Sequence, residues 1–377
     1  MKILHISTFL QGGAGKVLVD LSEGALTRGH EVNVACTEHS VDGYGNYPEH
    51  IKSLRDLKIP LVFLDSTFSR DRTKNLLASE TLHSQIMRNC PDLIHSHSSI
   101  PSMVSMDTIS GLEKKIPIIQ TMHGWGIFKT KEQERQDIEI LNRVDHVVSI
   151  SKASEYLLLR KGLSNPSKSV IYNGLERSSP KQEAPYDQHL NKIKSFKEEG
   201  FKIIGIIGTV DARKNQLLVL EALSALPETL RFQAVFVGEG DDLPAYQEKA
   251  RSLNLSSKVT FTGYKPSARS FVEECDLLIS ASLSEGAAPL AILEAFSAKT
   301  PVLASDTPEN MEAIEDAWNG FLFLSGNARN LSEKISSSLR SPKIDEIVNS
   351  AHDLFLSNYT LDSTMESYLS LYTEFLE

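Results

Sequence analysis

The sequence has few cysteines, no long apolar segment and no excess of basic residues. Its three cysteines, Cys36, Cys90 and Cys275, are far apart and lack metal-site spacing, which predicts unpaired thiols in a reducing compartment. No apolar run reaches the roughly 18 residues of a membrane-spanning helix, and the first apolar stretch is too short for a signal peptide. The net charge of −10 argues against a nucleic acid partner, because phosphate contacts need a basic face. We therefore expect a cytoplasmic protein.

The acidic excess lies in the second half of the chain, whereas the first half is almost neutral. Basic residues are concentrated between Lys52 and Lys74, but Asp56, Asp65 and Asp71 are interspersed among them. Acidic neighbours favour a solvated surface of mixed charge over a membrane-binding patch. Peripheral contact with the inner face of the membrane stays open as the alternative.

Short β-branched runs alternate with helical patterns along all 377 residues. Strands such as KILHIS, DLIHS, FKIIGIIG and DLLIS are separated by amphipathic stretches, which is typical of parallel sheets built from crossover connections. Two successive sets of strands predict an α/β protein with two Rossmann-like, doubly wound domains that face a central cleft. We place the domains at residues 1–180 and 181–355, followed by a C-terminal helix at 356–377.

Two glycine- or histidine-containing segments of the first half follow predicted strands. Gly12 and Gly13 come after the first strand and before a helix, where they permit close backbone approach, but the spacing fits neither a P-loop nor a dinucleotide fingerprint. His95 and His97 end one strand, and His123 ends another directly before Gly124. No carboxylate or further histidine at ligand spacing joins them, so we expect no metal. His123 is the candidate for facing a cleft.

Two segments of the second half carry charges at predicted strand ends. Gly208 allows a backbone turn, and Arg213 and Lys214 follow it as two cations suited to an anionic leaving group such as a diphosphate. Farther along, Glu285 and Glu294 flank the start of a predicted helix near Pro289. The backbone N–H groups at the N-terminus of this helix form an anion site. Because carboxylates accept paired hydroxyls well, a sugar or ribose is the expected partner of these glutamates.

Taken in order, these segments resemble glycosyltransferase family 4, whose members are retaining enzymes of the GT-B fold. The resemblance extends over nearly the whole chain through DLIHSHS, TMHG, VIYNGLE, GTVDARKNQ, FVGEGDD and SLSEGAAPLAILEAF. It implies a hexosyltransferase that moves a sugar from a nucleoside diphosphate donor to a hydroxyl of a glycan, a lipid-linked molecule or a small molecule. It also implies polysaccharide biosynthesis as the setting, with no cofactor and no metal.

The resemblance assigns roles to individual residues. His123, Lys214 and Glu285 would act at the transferred sugar and its leaving diphosphate. The donor-binding set would be Gly12, Gly13, Gly208, Thr209, Arg213, Lys214, Ala287, Ala288, Pro289, Leu290 and Glu294.

Three departures from the family pattern accompany this assignment. Thr209 stands where the family usually has arginine, the two glutamates are one residue farther apart than usual, and Pro308-Glu309 replaces a Gly-Gly pair.

Two alternative functions remain: a nucleotide-sugar epimerase of the same architecture, and an inactive subunit that only binds sugar nucleotides.

Overall fold

The computed structural model describes most of the chain and divides it into two compact units. The described residues are 1–41, 44–65, 69–126, 129–177, 187–265, 268–287 and 289–377. The first unit comprises Met1–Asn173 together with Leu361–Glu377, and the second comprises Gly174–Thr360. The chain therefore passes into the second unit before residue 181, where we predicted the boundary.

Strands and helices alternate in the first unit. Its strands are β1 (Lys2–Ile6), β2 (Glu31–Thr37), β3 (Leu61–Leu64), β4 (Leu93–Ser96), β5 (Ile118–Met122), β6 (His146–Ser149) and β7 (Lys168–Val170). Its helices before residue 174 are α1 (Gly12–Thr27), α2 (Pro48–Asp56), α3 (Leu76–Asn89), α4 (Ser99–Ile109), α5 (Lys131–Leu141) and α6 (Lys152–Lys161). Every residue of β4, β5 and β6 is buried, as expected for parallel strands with both faces covered.

The second unit repeats this architecture. Its strands are β8 (Lys202–Ile207), β9 (Phe232–Val237), β10 (Val259–Phe261), β11 (Leu277–Ser280), β12 (Val302–Ser305) and β13 (Phe321–Phe323). Its helices are α7 (Gln188–Glu198), α8 (Gln216–Ser224), α9 (Leu243–Ser252), α10 (Arg269–Glu274), α11 (Leu290–Ala298), α12 (Pro308–Ala313), α13 (Ala328–Ser338) and α14 (Ile344–Asn358). The core contains Phe236 and Phe323, both nearly inaccessible to solvent.

Strand order locates the edge of each sheet at which a ligand site is expected. The described strands form two parallel sheets, ordered β3-β2-β1-β4-β5-β6-β7 and β10-β9-β8-β11-β12-β13. The order reverses between β1 and β4 and between β8 and β11, and in such sheets ligands bind beyond the carboxyl ends of the strands at that reversal. The prediction of two doubly wound parallel-sheet domains is confirmed.

The last helix, α15 (Leu361–Glu374), belongs to the first unit. Its residues Met365, Tyr368 and Tyr372 are buried in the core that contains α1. The Tyr372 hydroxyl lies 2.6 Å from Nδ1 of His95, and the Tyr368 hydroxyl lies 2.9 Å from Oγ1 of Thr121. The terminal helix is thus attached both by apolar packing and by buried polar contacts.

Removal of the Tyr372 hydroxyl should destabilise the protein. Tyr372→Phe preserves the ring but leaves Nδ1 of buried His95 without this partner, which costs about 1–3 kcal/mol of unfolding free energy. Urea denaturation measures the loss, and Tyr156→Phe at an exposed position is the matched control. A Tyr372→Phe variant as stable as the control would show that the contact contributes nothing.

Candidate functional site

The loop after β8 is shaped by close contact between backbones. Gly208 has a φ of +143°, a conformation that L side chains rarely adopt. A Cβ built on Gly238, at the end of β9, would lie 2.0 Å from the carbonyl oxygen of Gly208. The glycines of GTVDARKNQ and FVGEGDD therefore let these two loops pack against each other, and exposed Thr209 follows directly.

The same loop presents Arg213 and Lys214 to the loop that follows β11. Asn215 has a left-handed φ of 52°, and α8 begins at the next residue. The Lys214 N–H donates to Oδ1 of Asp211 at 2.8 Å, and the Leu283 N–H donates to the carbonyl oxygen of Arg213 at 2.9 Å. These contacts fix the two cations beside the segment that contains Glu285.

Glu285 binds both cations. Nζ of Lys214 lies 2.5 Å from Oε1 of Glu285, and Nη1 of Arg213 lies 2.9 Å from Oε2. The side chains of Lys214 and Glu285 are only 14% and 10% exposed, so this is a largely buried ionic cluster. Burial by itself would raise the pKa of the Glu285 carboxyl, but the charges of Lys214 and Arg213, together with hydrogen bonds from Lys214 and Ser282, lower that pKa.

The remaining predicted donor residues surround the start of α11. Pro289 is the N-cap of this helix rather than its first residue, because its ψ of 143° is extended and Leu290 begins the helix. Glu294 lies in the middle of α11, partly buried between Leu293 and Ala295. Ala287 lies three residues before the first residue of the helix, whereas Ala288 lies outside the described residues.

Glu309 is a buried carboxyl near the same loops that the sequence did not mark as a site residue. It replaces one of the two family glycines, is only 9% exposed, and its Oε2 has no hydrogen-bond partner among the described residues. Ser305 Oγ donates to the carbonyl oxygen of Ser282 at 2.6 Å, which links the last residue of β12 to the segment after β11. Burial and the charges of Glu285 and Glu312 raise the pKa of Glu309, although local hydrogen bonds oppose this. In the sequence, the replacement of the family's Gly-Gly pair by Pro308-Glu309 was the sign that could have pointed to this carboxyl.

In the first unit, the glycine loop begins a helix earlier than its apolar pattern indicated. The sequence placed Gly12 and Gly13 before the helix, whereas α1 begins at Gly12. Gly12 has a φ of +56° and nothing within 4 Å of a built Cβ, and Gly13 is exposed in the first turn. Gly15 is different, because its Cβ would lie 2.6 Å from the backbone carbon of Leu10. Gly12 and Gly13 are thus open to a ligand, while Gly15 serves packing.

His123 is hydrogen-bonded to other histidines. Its Nε2 lies 2.9 Å from Nδ1 of His97, and Nε2 of His97 lies 3.0 Å from Nδ1 of His5. The sequence reading that no further histidine joins His95 and His97 was wrong, because β1 and β4 pair with His5 opposite His95. His5, His95 and His97 have nitrogens within 4.8 Å of one another, a spacing at which three imidazoles could hold a metal ion.

The loop after His123 is held by charged residues. Nε1 of Trp125 donates to Oε1 of Glu134 at 3.0 Å, and Nζ of Lys129 lies 4.1 Å from the centre of the indole ring. Lys129 also contacts Asp137, which is almost inaccessible to solvent, at 2.7 Å. Such cation–π and ionic contacts restrict the position of the segment that carries His123.

Acid should destabilise the protein through its buried histidines. Burial lowers the pKa of His5 to about 3 and the pKa of His123 and His146 to about 4. The unfolded chain binds protons at these positions below pH of about 6.5, whereas the folded chain does not, so stability falls as the pH decreases from there towards 4. Each such histidine contributes up to about 1.4 kcal/mol per pH unit.

Melting temperatures measured between pH 7.5 and 5 test this dependence. The His146→Gln variant should show a shallower decline because it removes one such group, and His39→Gln at an exposed position is the control. A melting temperature that stays constant across this range would contradict the expectation.

Two family models match the chain, one in each half. The model described as Glycosyltransferase Family 4 matches residues 11–178, and that described as Glycosyl transferases group 1 matches residues 187–352. The first match contains His123, and the second contains the ionic cluster of Glu285 with the start of α11.

Curated relatives match over most of their length at low identity. The putative glycosyltransferase EpsD of Bacillus subtilis (strain 168) is 22% identical over 76% of this chain and 77% of its own. The UDP-Gal:alpha-D-GlcNAc-diphosphoundecaprenol alpha-1,3-galactosyltransferase of Escherichia coli is 22% identical over 93% of this chain and 92% of its own.

Solved structures share the fold over the full length. Anabaena Alr3699/HepE in complex with UDP-glucose superposes with a TM-score of 0.84 at 19% identity, and the match covers 99% of this chain and 100% of that one. The sucrose-phosphate synthase of Thermosynechococcus elongatus gives a TM-score of 0.81 at 16% identity, with 99% of each chain covered. Among the described residues, no helix has the length and apolar character needed to cross a bilayer.

Proposed function

Because this chain belongs to the glycosyltransferases of family 4, we propose that it transfers a hexose-type sugar from a nucleoside diphosphate sugar to an acceptor hydroxyl. We further propose that the anomeric configuration of the sugar is retained. The observation that carries the proposal is the ionic cluster of Lys214, Arg213 and Glu285 at the carboxyl ends of β8 and β11. It brings two cations together at the strand ends, where they can face a diphosphate, and Asp211 pairs with Arg213 at 3.6 Å in addition to Glu285.

The second unit supplies the donor-binding groups in this proposal. Gly208 and Thr209 form the strand end beside the cations, and the backbone N–H groups of Ala287 and Leu290, on either side of the Pro289 N-cap of α11, bind the diphosphate. Glu294, one turn into the same helix, accepts hydrogen bonds from the two ribose hydroxyls. Phosphate at a helix N-terminus and ribose at a carboxylate within that helix are sterically compatible, because a turn advances about 5.4 Å.

The chemical step then depends mainly on charge stabilisation. As the glycosidic bond breaks, the electron pair and negative charge pass to the leaving diphosphate, and Lys214 and Arg213 stabilise that charge. The diphosphate oxygen accepts the proton of the acceptor hydroxyl, which attacks the same face of the sugar. In the first unit, Gly12 and Gly13 approach the ligands through their backbone, and His123 contacts an oxygen of the transferred sugar.

The acceptor class is proposed from the relatives. The name of the Escherichia coli relative gives a diphosphoundecaprenol-linked sugar as its acceptor, and a Staphylococcus aureus relative, 27% identical over 48% of this chain, is named for poly(ribitol-phosphate). We propose a glycan, lipid-linked or small-molecule acceptor in surface polysaccharide biosynthesis. Contact with the inner membrane face and a cytoplasmic location stay predictions.

A binding screen followed by a transfer assay tests the function. Nucleoside diphosphates and their sugars are added to the full chain, and a raised melting temperature identifies the ligand, because binding to the folded state stabilises it. The selected donor is then incubated with candidate acceptors, with and without EDTA, and the product linkage is determined by NMR. Transfer with retention that is unaffected by EDTA supports the proposal, whereas an epimerised donor without acceptor, or binding without turnover, supports one of the two alternatives.

A further inference from the structure

His5, His97 and His123 form a continuous chain of hydrogen-bonded rings inside the first unit. The two nitrogen–nitrogen distances are 3.0 Å between His5 and His97 and 2.9 Å between His97 and His123. The rings of His97 and His123 are nearly parallel, with an interplanar angle of 9°. These are hydrogen-bond distances, so one nitrogen of each pair carries a proton and the other accepts it.

Because each of the three rings is neutral, the position of the proton on one ring determines its position on the other two. Burial lowers the pKa of all three histidines, to about 3 for His5, to about 4 for His123 and well below the ordinary value for His97. A neutral imidazole has one N–H and one lone pair. Only two arrangements satisfy both hydrogen bonds: every ring protonated on Nδ1, or every ring protonated on Nε2.

The outer two of the three hydrogen-bonded histidines, His5 and His123, distinguish these two arrangements. Nε2 of His5 and Nδ1 of His123 are both buried atoms without a hydrogen-bond partner among the described residues. His5 is completely buried as a residue, whereas His123 is partly exposed in the loop after β5. An orphaned N–H deep in a core is rarer than an orphaned acceptor, so the free N–H belongs at the end formed by His123, the less buried of the two residues.

We propose that His5 and His97 are positioning residues that hold Nε2 of His123 as an acceptor and thereby keep the His123 proton on Nδ1. The role of that proton rests on the proposed function: Nδ1–H donates to a hydroxyl oxygen of the transferred sugar. His5 and His97 do not touch the sugar and act only through His123. The hydrogen-bonded histidines do not conduct protons in turnover, because Nε2 of His5 has no hydrogen-bond partner among the described residues to which it could pass one.

A metal ion bound by His5, His95 and His97 is the rival use of these rings. It would require His95 to give up a nitrogen, yet Nδ1 of His95 lies 2.6 Å from the Tyr372 hydroxyl and Nε2 lies 2.7 Å from Oγ1 of Thr121. Both nitrogens of His97 are hydrogen-bonded as well, Nε2 to His5 and Nδ1 to His123. The hydrogen bonds therefore favour the metal-free arrangement, and the experiment includes Zn²⁺ as a separate arm.

NMR of the full chain labelled with ¹⁵N in its histidine rings tests the proposal without substrate. Long-range ¹H–¹⁵N spectra distinguish protonated from unprotonated ring nitrogens, and we expect His5, His97 and His123 to be protonated on Nδ1. In His97→Phe, His123 should lose this single form and exchange between tautomers. His146→Phe is the matched control, because His146 is also buried and neutral but is not hydrogen-bonded to His5, His97 or His123. If His97→Phe does not fold, His5→Phe replaces it.

Kinetics connect the tautomer to the reaction. His97→Phe should lower kcat/KM roughly tenfold, the effect of about one hydrogen bond, with nucleoside diphosphate affinity unchanged and partial rescue in His97→Gln. Protonated Nε2 on His123 of the unaltered protein, an unchanged His123 tautomer in folded His97→Phe, or Zn²⁺ binding that shifts the His5 and His97 signals would each overturn the proposal. Absence of transferase activity in the unaltered protein would instead refute the proposed function and leave the tautomer result standing.

Discussion

Lys214→Ala is expected to lower the turnover number roughly a hundred-fold or more while weakening donor binding much less. Negative charge grows on the diphosphate as the glycosidic bond breaks, so a fixed cation interacts more strongly with the transition state than with the bound donor. Nζ of Lys214 is already held 2.5 Å from Oε1 of Glu285 and is largely buried, which lessens the need to order it on binding. Steady-state kinetics with saturating acceptor measure the effect.

The matched control is Lys202→Ala in the same unit. Lys202 lies at the opposite end of β8 and pairs with Asp276 at 2.9 Å, so its loss should leave the turnover number unchanged. Because Lys214→Ala leaves buried Glu285 with one cation fewer, the folded fraction is determined in parallel by thermal denaturation. Full activity in Lys214→Ala would refute the charge-stabilisation mechanism.

The Arg213→Ala variant tests whether Arg213 supplies the positive charge of the family arginine that Thr209 replaces. Nη1 of Arg213 contacts the same carboxylate at 2.9 Å, so both cations converge on one position. A clear loss of turnover would indicate that Arg213 has this role, and unaltered kinetics would indicate that it only balances the charge of Glu285.

The fold could be predicted well because its signals are local and repeated. Buried parallel strands such as β8 and β9 are rich in apolar residues, and Gly208 after β8 marks a turn that other residues rarely adopt. Boundaries were less accurate. The start of helix α1 at Gly12 was not predicted, because glycines carry no apolar signal, although α1 includes them.

The site could be predicted only in part, because side-chain pairing depends on contacts distant in sequence. Residue spacing does not reveal that Lys214 and Arg213 share Glu285, about seventy residues away. It also does not reveal that His5 joins His97, since this requires knowing that β1 pairs with β4 rather than only with β2. Strand order in a doubly wound sheet supplies this missing information, and applying it to the histidines would have found the cluster.

Glu294→Ala is expected to weaken nucleotide binding by about 1.5–3 kcal/mol, or roughly 10- to 150-fold in Kd. Glu294 is a partly buried residue of α11, about one turn from the helix start that we assign to the diphosphate. Two ribose hydroxyls donating to one carboxylate would form charge-assisted hydrogen bonds of that strength. Calorimetric titration with the nucleoside diphosphate selected by the binding screen measures the change.

Deoxyribose analogues separate a binding role of Glu294 from a structural one. The 2′-deoxy and 3′-deoxy nucleotides should bind the unaltered protein weakly, and Glu294→Ala should hardly discriminate between them and the parent nucleotide, because its hydroxyl acceptor is gone. Glu333→Ala, at an exposed position on α13 paired with Arg329, is the matched control and should retain full discrimination. If Glu294→Ala binds all the nucleotides normally and only melts at a lower temperature, Glu294 stabilises α11 and the ribose is bound elsewhere.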